Sequence, residues 1–450
     1  LRVEPTVPAF DPAAFDREAR RALARIRAGL VAAGGAYGAG PRLRHRLRRL
    51  HRLDAVLDTP AAERRDVVAL ERALALRDRA SRTLREDRPV LASAECGFEM
   101  HPLIGWKAAN LAEAERLLGA GHVPPWFVVT HASFTGMLGE PLAGGGPLGE
   151  AIAAVLERAD LTPAQKSLHI RDLWEKAAVP ASLAGAVTAA YHALAGAREP
   201  GGTPGASPEA ELPYVAVRSS AREEDAEAAA RAGEFDTFLY IRGEGSLLDF
   251  LKRAWAGLWT ERAVHSRAVF GIGMDQVGGG VIVQRIVPAR VAGVLQTVNV
   301  AEDEHREMVL NAGLGLGEGV VSGTVGADHV VVRKEGDLER GPLRFRYVTA
   351  DKRERVVFDE RTGFGTVRAQ SLYHQRLRPA LEYVELRELV LTARRLEEAY
   401  GYPLDLEFAI EGERIRLLQV RPVATFLPAL NETLERRPLE SAATLEEMTP

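Results

Sequence analysis

The sequence predicts an α+β protein with an additional helical N-terminal region, and three observations carry that expectation. Apolar residues recur at helical spacing through much of residues 1–92. From about Glu95 onward, short segments rich in Val, Ile and Phe alternate with helical ones. Residues 404–410 alternate apolar and polar with period two ahead of a glycine-containing turn.

In chain order, Asp11 followed by Pro12 is an N-cap and first-turn signal, and Phe15, Ala19, Leu23, Ile26 and Leu30 continue it as one helical stripe. A glycine-rich break at 34–40 ends that helix. Leu43, Leu47, Leu50 and Leu53 mark a second helix, and Thr59 with Pro60 opens a third that carries Val67, Leu70, Leu74 and Leu84. Strands are expected at 126–130, 214–218, 235–241, 281–287, 294–300, 308–312 and 330–333. Helices are expected at 247–262 and 379–400, the second ended by Gly401. Residues 196–213, with several Gly and Pro, read as an internal linker.

Composition narrows the function classes. With 450 residues, 46% of them hydrophobic, the chain can bury a large core divided over two or three domains. A net charge of −4 gives no whole-molecule attraction to nucleic acid or to an anionic membrane. No apolar run approaches the ~18 residues of a membrane helix. The single cysteine, Cys96, excludes an internal disulfide framework and predicts a reducing, cytoplasmic setting. The opening Leu1 and the patternless tail after Pro428 suggest a piece of a longer polypeptide.

Residues 404–423 are the most informative stretch. Leu404, Leu406, Phe408 and Ile410 form an apolar face, and Asp405 and Glu407 lie on the other. A three-residue loop around Gly412 would put Asp405, Glu407, Gln419 and Arg421 on one face, whereas a two-residue loop would flip the return strand. Two carboxylates on a rigid strand can hold a hard cation such as Mg²⁺, and an arginine beside them can grip phosphate oxygens. The same residues would also make an ordinary surface hairpin closed by a salt bridge.

Three further stretches carry candidate ligand chemistry. Gly313, Gly315, Gly317 and Gly319 form a glycine loop after a strand, where backbone without Cβ can approach a phosphate. It matches neither a Walker A motif nor a dinucleotide fingerprint, and plain turns are also glycine-rich. Arg218 ends a buried-looking strand ahead of Ser219 and Ser220, and an ion pair with Glu223, Glu224 or Asp225 is an equally open role for it. Lys107 stands at a loop-to-helix start, where a cation meets a phosphate alongside the helix amides or is simply solvated.

Together these pieces resemble the nucleotide-binding domain of the phosphoenolpyruvate synthase and pyruvate phosphate dikinase family, a wider group that includes rifampin phosphotransferase and the glucan water dikinases. Five fragments match in order from Gly105 to Val423: GWKAANLAEAERLL with VPPWFVVT, then VAVRSSAREEDA with AGEFDTFL, VIVQRIVPARVAGVLQTVN, NAGLGLGEGVVSGTVGADHVVV, and LDLEFAI with LLQVRPV. The resemblance implies an ATP-grasp fold with a first subdomain at 93–210 and a second at 211–424. These follow the helical region 1–92 and precede a linker tail, 425–450. It implies ATP and Mg²⁺ as cofactors. Lys107 and Arg218 would contact ATP phosphates, Glu407 and Gln419 would hold Mg²⁺ with Asp405 close by, and Arg421 would stabilise the moving phosphoryl group. Gln284, Gly315, Gly317 and Glu318 would line the nucleotide pocket.

Several positions depart from the family pattern: Trp106 and Trp126 where glycine is usual, Gln296 and Val300 around the Thr-x-Asn segment, and Glu234 where Gln or His is usual. None of the 11 histidines sits in the family's phosphohistidine setting. The expected partners are therefore a phosphohistidine domain and an acceptor-binding domain, downstream or in trans, with pyruvate as the default acceptor and a small hydroxylated compound or a glucan as alternatives. A non-catalytic nucleotide sensor is a competing reading, motivated by Trp106 and the missing histidine. Nucleic-acid binding through the basic stretch 42–52 is a third, disfavoured because its leucines already give a helical core stripe.

Overall fold

The structure is a computed structural model that describes residues 88–119, 121–196, 212–221, 237–270, 273–274, 277–302, 304–400 and 403–423. All of them belong to one compact unit, Ala73–Leu427. The three expected N-terminal helices, the basic stretch 42–52, nearly all of 196–213, the acidic residues 223–225, Glu234 and the tail 425–450 lie outside the described residues.

The described chain is α+β. Five strands, β1 (Val90–Ala92), β2 (Trp126–Val129), β3 (Val215–Ala221), β4 (Thr237–Ile241) and β5 (Gly279–Arg285), form an antiparallel sheet in the order β1-β2-β5-β3-β4. Six more form a second antiparallel sheet: β6 (Val291–Gln296), β7 (Glu307–Leu314), β8 (Asp328–Arg333), β9 (Arg344–Val348), β12 (Leu404–Glu411) and β13 (Arg414–Pro422), ordered β13-β12-β6-β7-β8-β9. Between β9 and β12 in sequence, β10 (Glu354–Phe358) and β11 (Thr366–Gln370) make a separate hairpin. The strands on either side of residues 210/211 share the first sheet, whose last strand ends at Arg285.

The first sheet is buried on both faces, and each face serves a different core. Phe127, Val129, Val215, Val217, Val281 and Val283 pack with Trp174, Trp255 and Trp259 from the flanking helices. Trp126, Val128 and Ile282 point the other way, into a core shared with the helix Trp106–Leu118 and with Leu404, Leu406, Phe408 and Ile410 of the second sheet. Each large apolar side chain buried in these layers contributes roughly 1.5–3 kcal/mol, so both layers are held firmly against the first sheet. Gly105 makes the closest approach. Its φ is 78°, and a Cβ there would lie 1.8 Å from the Ser220 carbonyl oxygen. Only glycine lets that helix start against β3. Among the described residues no single helix is long and apolar enough to cross a membrane.

Two local expectations are corrected. Residues 90–92, expected within the helical region, form the edge strand β1, whose central Leu91 is buried against β2. The helix expected over 247–262 is two helices, Glu244–Ala256 and Glu261–Phe270, separated by a turn at Gly257–Trp259. Thr260 is extended, and its Oγ1 accepts from the Ala263 N–H at 3.2 Å, so it starts the second helix as a cap.

Candidate functional site

The hairpin β12–β13 is built by two compensating irregularities. Glu411 pairs with Arg414, so the turn holds only Gly412 and Glu413. Gly412, at φ 59°, supplies the positive dihedral that such a tight turn needs at its first central position. A two-residue turn alone would have flipped the return strand. The pairing instead shifts between Glu407 and Phe408, where Leu418 is the extra residue. This β-bulge restores the register, so Glu407 faces Gln419 and Asp405 faces Arg421. All four expected residues share one face of the second sheet, by a different route from the three-residue loop.

The bulge also turns the Leu418 carbonyl towards the first sheet. Arg218, on β3 and almost fully buried, donates from Nη1 to that carbonyl at 2.7 Å. Its Nη2 donates to Glu407 Oε2 at 2.8 Å and to Gln419 Oε1 at 2.6 Å. Arg218 thus joins the two sheets through three charge-assisted bonds. Its Nε is buried with no hydrogen-bond partner among the described residues, and so is Nε2 of Gln284. Gln284 pairs with Ala216 on the neighbouring strand, which puts it on the same face of the first sheet as Arg218. Two orphaned donors on one buried face are unusual, because buried polar groups are normally bonded.

Arg421 closes the outer end of the hairpin. Its Nη2 and Nε donate to Asp405 Oδ2 at 2.9 and 3.2 Å. Burial pushes the Asp405 carboxyl above its ordinary range, against the opposing pull of Arg421 and a hydrogen bond from Gln296. Gln296 faces Asp405 across the β6–β12 pair. This departure from the family pattern therefore supports the Asp405 carboxylate.

Lys107 is the second residue of the helix Trp106–Leu118 and is half-buried. The next residue, Ala108, donates its N–H to Ser220 Oγ at 3.0 Å. Ser220 lies two residues beyond Arg218 on β3, on the same face. The first turn of this helix, with its positive dipole end, is therefore held on the Arg218 side of the first sheet.

The glycine loop is built differently from an open phosphate cradle. Gly315 has φ 80°, and a Cβ there would meet the Val356 carbonyl at 2.3 Å. The Leu316 N–H donates to the same carbonyl at 2.9 Å. Gly317 is half-buried, and a Cβ there would meet only Ala292, at 3.6 Å. Glu318 is exposed and accepts from Thr366 Oγ1 at 2.7 Å. Gly315 and Glu318 are thus positioned by the β10–β11 hairpin.

The two departing tryptophans are core residues. Trp106 stacks on His101 with centroids 3.8 Å apart, and Trp126 donates from Nε1 to Glu115 Oε2 at 2.9 Å. Both side chains are buried. Among the described residues no group of three or more His, Cys, Asp or Glu side chains converges as a metal site. Asp405, Glu407 and the Gln419 amide oxygen form a smaller, all-oxygen set. That set fits Mg²⁺, which keeps water and phosphate oxygens in its shell rather than needing a full protein cage. Sequence reasoning missed the Leu418 carbonyl, Ser220 and Thr366. Ser220 sits inside the arginine motif and was within reach; nothing in sequence pointed to Thr366 or to the bulge.

The family model for the pyruvate phosphate dikinase AMP/ATP-binding domain matches residues 101–437. A probable phosphoenolpyruvate synthase from Pyrococcus abyssi is 31% identical over 380 residues, covering 74% of this chain and 43% of the relative. The phosphoenolpyruvate synthase of Pyrococcus furiosus is 30% identical over 370 residues, covering 72% and 42%. A rifampicin phosphotransferase from Streptomyces is 32% identical over 325 residues, covering 72% and 35%. The chain spans less than half the length of these relatives. It belongs to the pyruvate phosphate dikinase AMP/ATP-binding domain family.

Proposed function

We propose that this chain is the ATP-binding, phosphoryl-transferring part of a dikinase with an ATP-grasp fold, holding ATP and Mg²⁺ between its five-stranded and six-stranded sheets. The observation that carries the reading is Arg218. It joins the two sheets through Glu407, Gln419 and the Leu418 carbonyl, and it keeps a buried Nε without a partner among the described residues. A guanidinium in that position grips a phosphate oxygen with its remaining donor.

In this reading Lys107 and Arg218 bind the phosphates, and Gln284, Gly315, Gly317 and Glu318 line the nucleotide. Glu407 and Gln419, with Asp405 beside them, hold Mg²⁺, which when bound neutralises phosphate charge. Arg421 stabilises the phosphoryl group in transit. Positioning and charge stabilisation supply the catalysis, since phosphoryl transfer asks for little covalent work from the protein. A histidine on a separate domain, downstream or in trans, takes the phosphoryl group, AMP is the nucleotide finally released, and the phosphohistidine passes its group to an acceptor. Pyruvate is the acceptor favoured by the relatives named phosphoenolpyruvate synthase. The rifampicin phosphotransferase relative favours a small hydroxylated acceptor as the second reading.

The test is to incubate the full-length protein, with its histidine domain, with ATP, Mg²⁺ and pyruvate, and to follow AMP, inorganic phosphate and phosphoenolpyruvate. Arg421→Ala should cut AMP formation by ~10³–10⁵. Near-normal rates in that variant, or ADP as the sole nucleotide product, would defeat the proposal.

A further inference from the structure

Tyr240 is the one described non-glycine residue with a positive φ, 58°. Left-handed backbone is disfavoured for a bulky side chain, and such residues persist where the surrounding structure fixes them. Tyr240 lies in β4 at an irregularity. Val215 pairs with Ile241 and Val217 with Phe238, so Leu239 and Tyr240 together oppose Ala216. A bulge of this kind re-aims a side chain. Here it sends the Tyr240 ring out of its own sheet, onto the β10–β11 hairpin.

The ring stacks on Phe358, with centroids 4.5 Å apart, and Tyr214 completes a trio at 5.5 Å from Tyr240 and 5.0 Å from Phe358. Tyr240, Leu316 and Val356 are the buried centre of this small cluster. Leu316 is a glycine-loop residue. Val356 is the hairpin residue whose carbonyl accepts the Leu316 N–H, and Thr366 of the same hairpin donates to Glu318. At the far end of the hairpin, Phe364 reaches Phe250 of the helix Glu244–Ala256, centroids 5.7 Å apart. The hairpin therefore touches the first-sheet side at two points and the glycine loop at two others.

We propose that Tyr240 is a positioning residue. Its bulged, left-handed backbone drives an aromatic latch that fixes the β10–β11 hairpin, and the hairpin in turn fixes the glycine loop in its nucleotide-ready shape. The link to nucleotide rests on the function proposed above; the link to the loop does not.

The experiment uses hydrogen exchange on the ligand-free protein, then calorimetry with ATP and Mg²⁺. Tyr240→Asn removes the ring but keeps a residue that tolerates left-handed backbone. Phe358→Leu breaks the same stack from the hairpin side, and Tyr240→Phe retains the ring. Amides of residues 315–319 should exchange about tenfold faster in Tyr240→Asn and Phe358→Leu, and at the wild-type rate in Tyr240→Phe. ATP affinity should fall about tenfold in the first two variants alone, the cost of a loop left unformed before binding. Unchanged exchange at 315–319 in both variants overturns the latch. Faster exchange with unchanged ATP affinity overturns the positioning role. Should the wild-type protein bind no ATP while exchange responds as expected, the nucleotide reading fails and the latch stands.

Discussion

Arg218 and Gln419 stand 201 residues apart in sequence and 2.6 Å apart in the fold. The same guanidinium nitrogen reaches Glu407, so one side chain of the first sheet reads the register of the hairpin at the edge of the second. Arg218→Ala should lower stability by about 2 kcal/mol, because it leaves the Gln419 amide oxygen and part of the Glu407 carboxylate without their donor. Glu407 keeps some solvent, which limits the loss. Denaturant unfolding measures it. A variant as stable as the wild type would show that the sheets are held together elsewhere.

The bulge at Leu418 makes a sharper prediction. Deleting Leu418 would remove the extra residue and leave Gln419 opposite Glu407 and Arg421 opposite Asp405 in an unbulged pair. The four side chains would keep their face, but Arg218 would lose the Leu418 carbonyl that accepts its Nη1. The deletion should therefore lower the melting temperature and weaken ATP binding while keeping a cooperative transition, whereas Leu418→Ala, which keeps the bulge and its carbonyl, should do neither. Circular dichroism with thermal melts separates the two.

Gly315→Ala should cost about 1–3 kcal/mol, from a side chain forced into positive φ and a Cβ pressed on the Val356 carbonyl. Gly119→Ala shares the positive φ but meets nothing within 4 Å, so it reports the dihedral cost alone. Comparing the two melting curves isolates the contact between the glycine loop and the hairpin.

Lys352 and Asp328 form a fully buried ion pair, 2.5 Å long, at the base of that hairpin. Asp328 also accepts from the Ala350 and Ala380 amides and from the Tyr347 hydroxyl. Lys352→Met removes the countercharge and leaves the carboxylate buried, so it should destabilise by ~3–5 kcal/mol. Chemical denaturation checks this, and a loss under 1 kcal/mol, the range of exposed pairs, would contradict it.

Cys96 is held at a thiol pKa of about 12, first by burial and then by Glu95 and Glu115, against Arg88. A raised folded pKa stabilises the native state below the unfolded value near 9, and that contribution is lost as pH rises towards 12. At pH 8 the native thiol should react with iodoacetamide far more slowly than the urea-unfolded chain, since the thiolate is the nucleophile. Equal rates would show the thiol to be open.

Much of this site was legible in the sequence because its chemistry is carried by side chains with strong local signals. The alternation of Leu404, Leu406, Phe408 and Ile410 with Asp405 and Glu407 fixed the faces of β12, and β12 orients the carboxylates as that pattern requires. Arg218 was visible as a strand-end cation, but its partner was not. Local sequence offered the acidic residues just after it, whereas sheet packing brought Glu407 from 189 residues away. The bulge was illegible because Leu418 looks like any apolar strand residue. The strands β9 and β11 were missed because they are short, largely exposed and interrupted by arginines, so no apolar face marks them, and β10 was missed because five residues give too short a pattern to read. Trp106 and Trp126, which depart from the family pattern, pack in the core beside His101 and Glu115.

The most direct test of the central claim is a calorimetric titration of the protein with ATP in the presence and absence of Mg²⁺, repeated on Arg218→Ala and Lys107→Ala. One ATP site is expected, tightened by Mg²⁺ and weakened at least about tenfold, or 1.4 kcal/mol, by either substitution. Binding at wild-type strength in both variants, or no dependence on Mg²⁺, would contradict it.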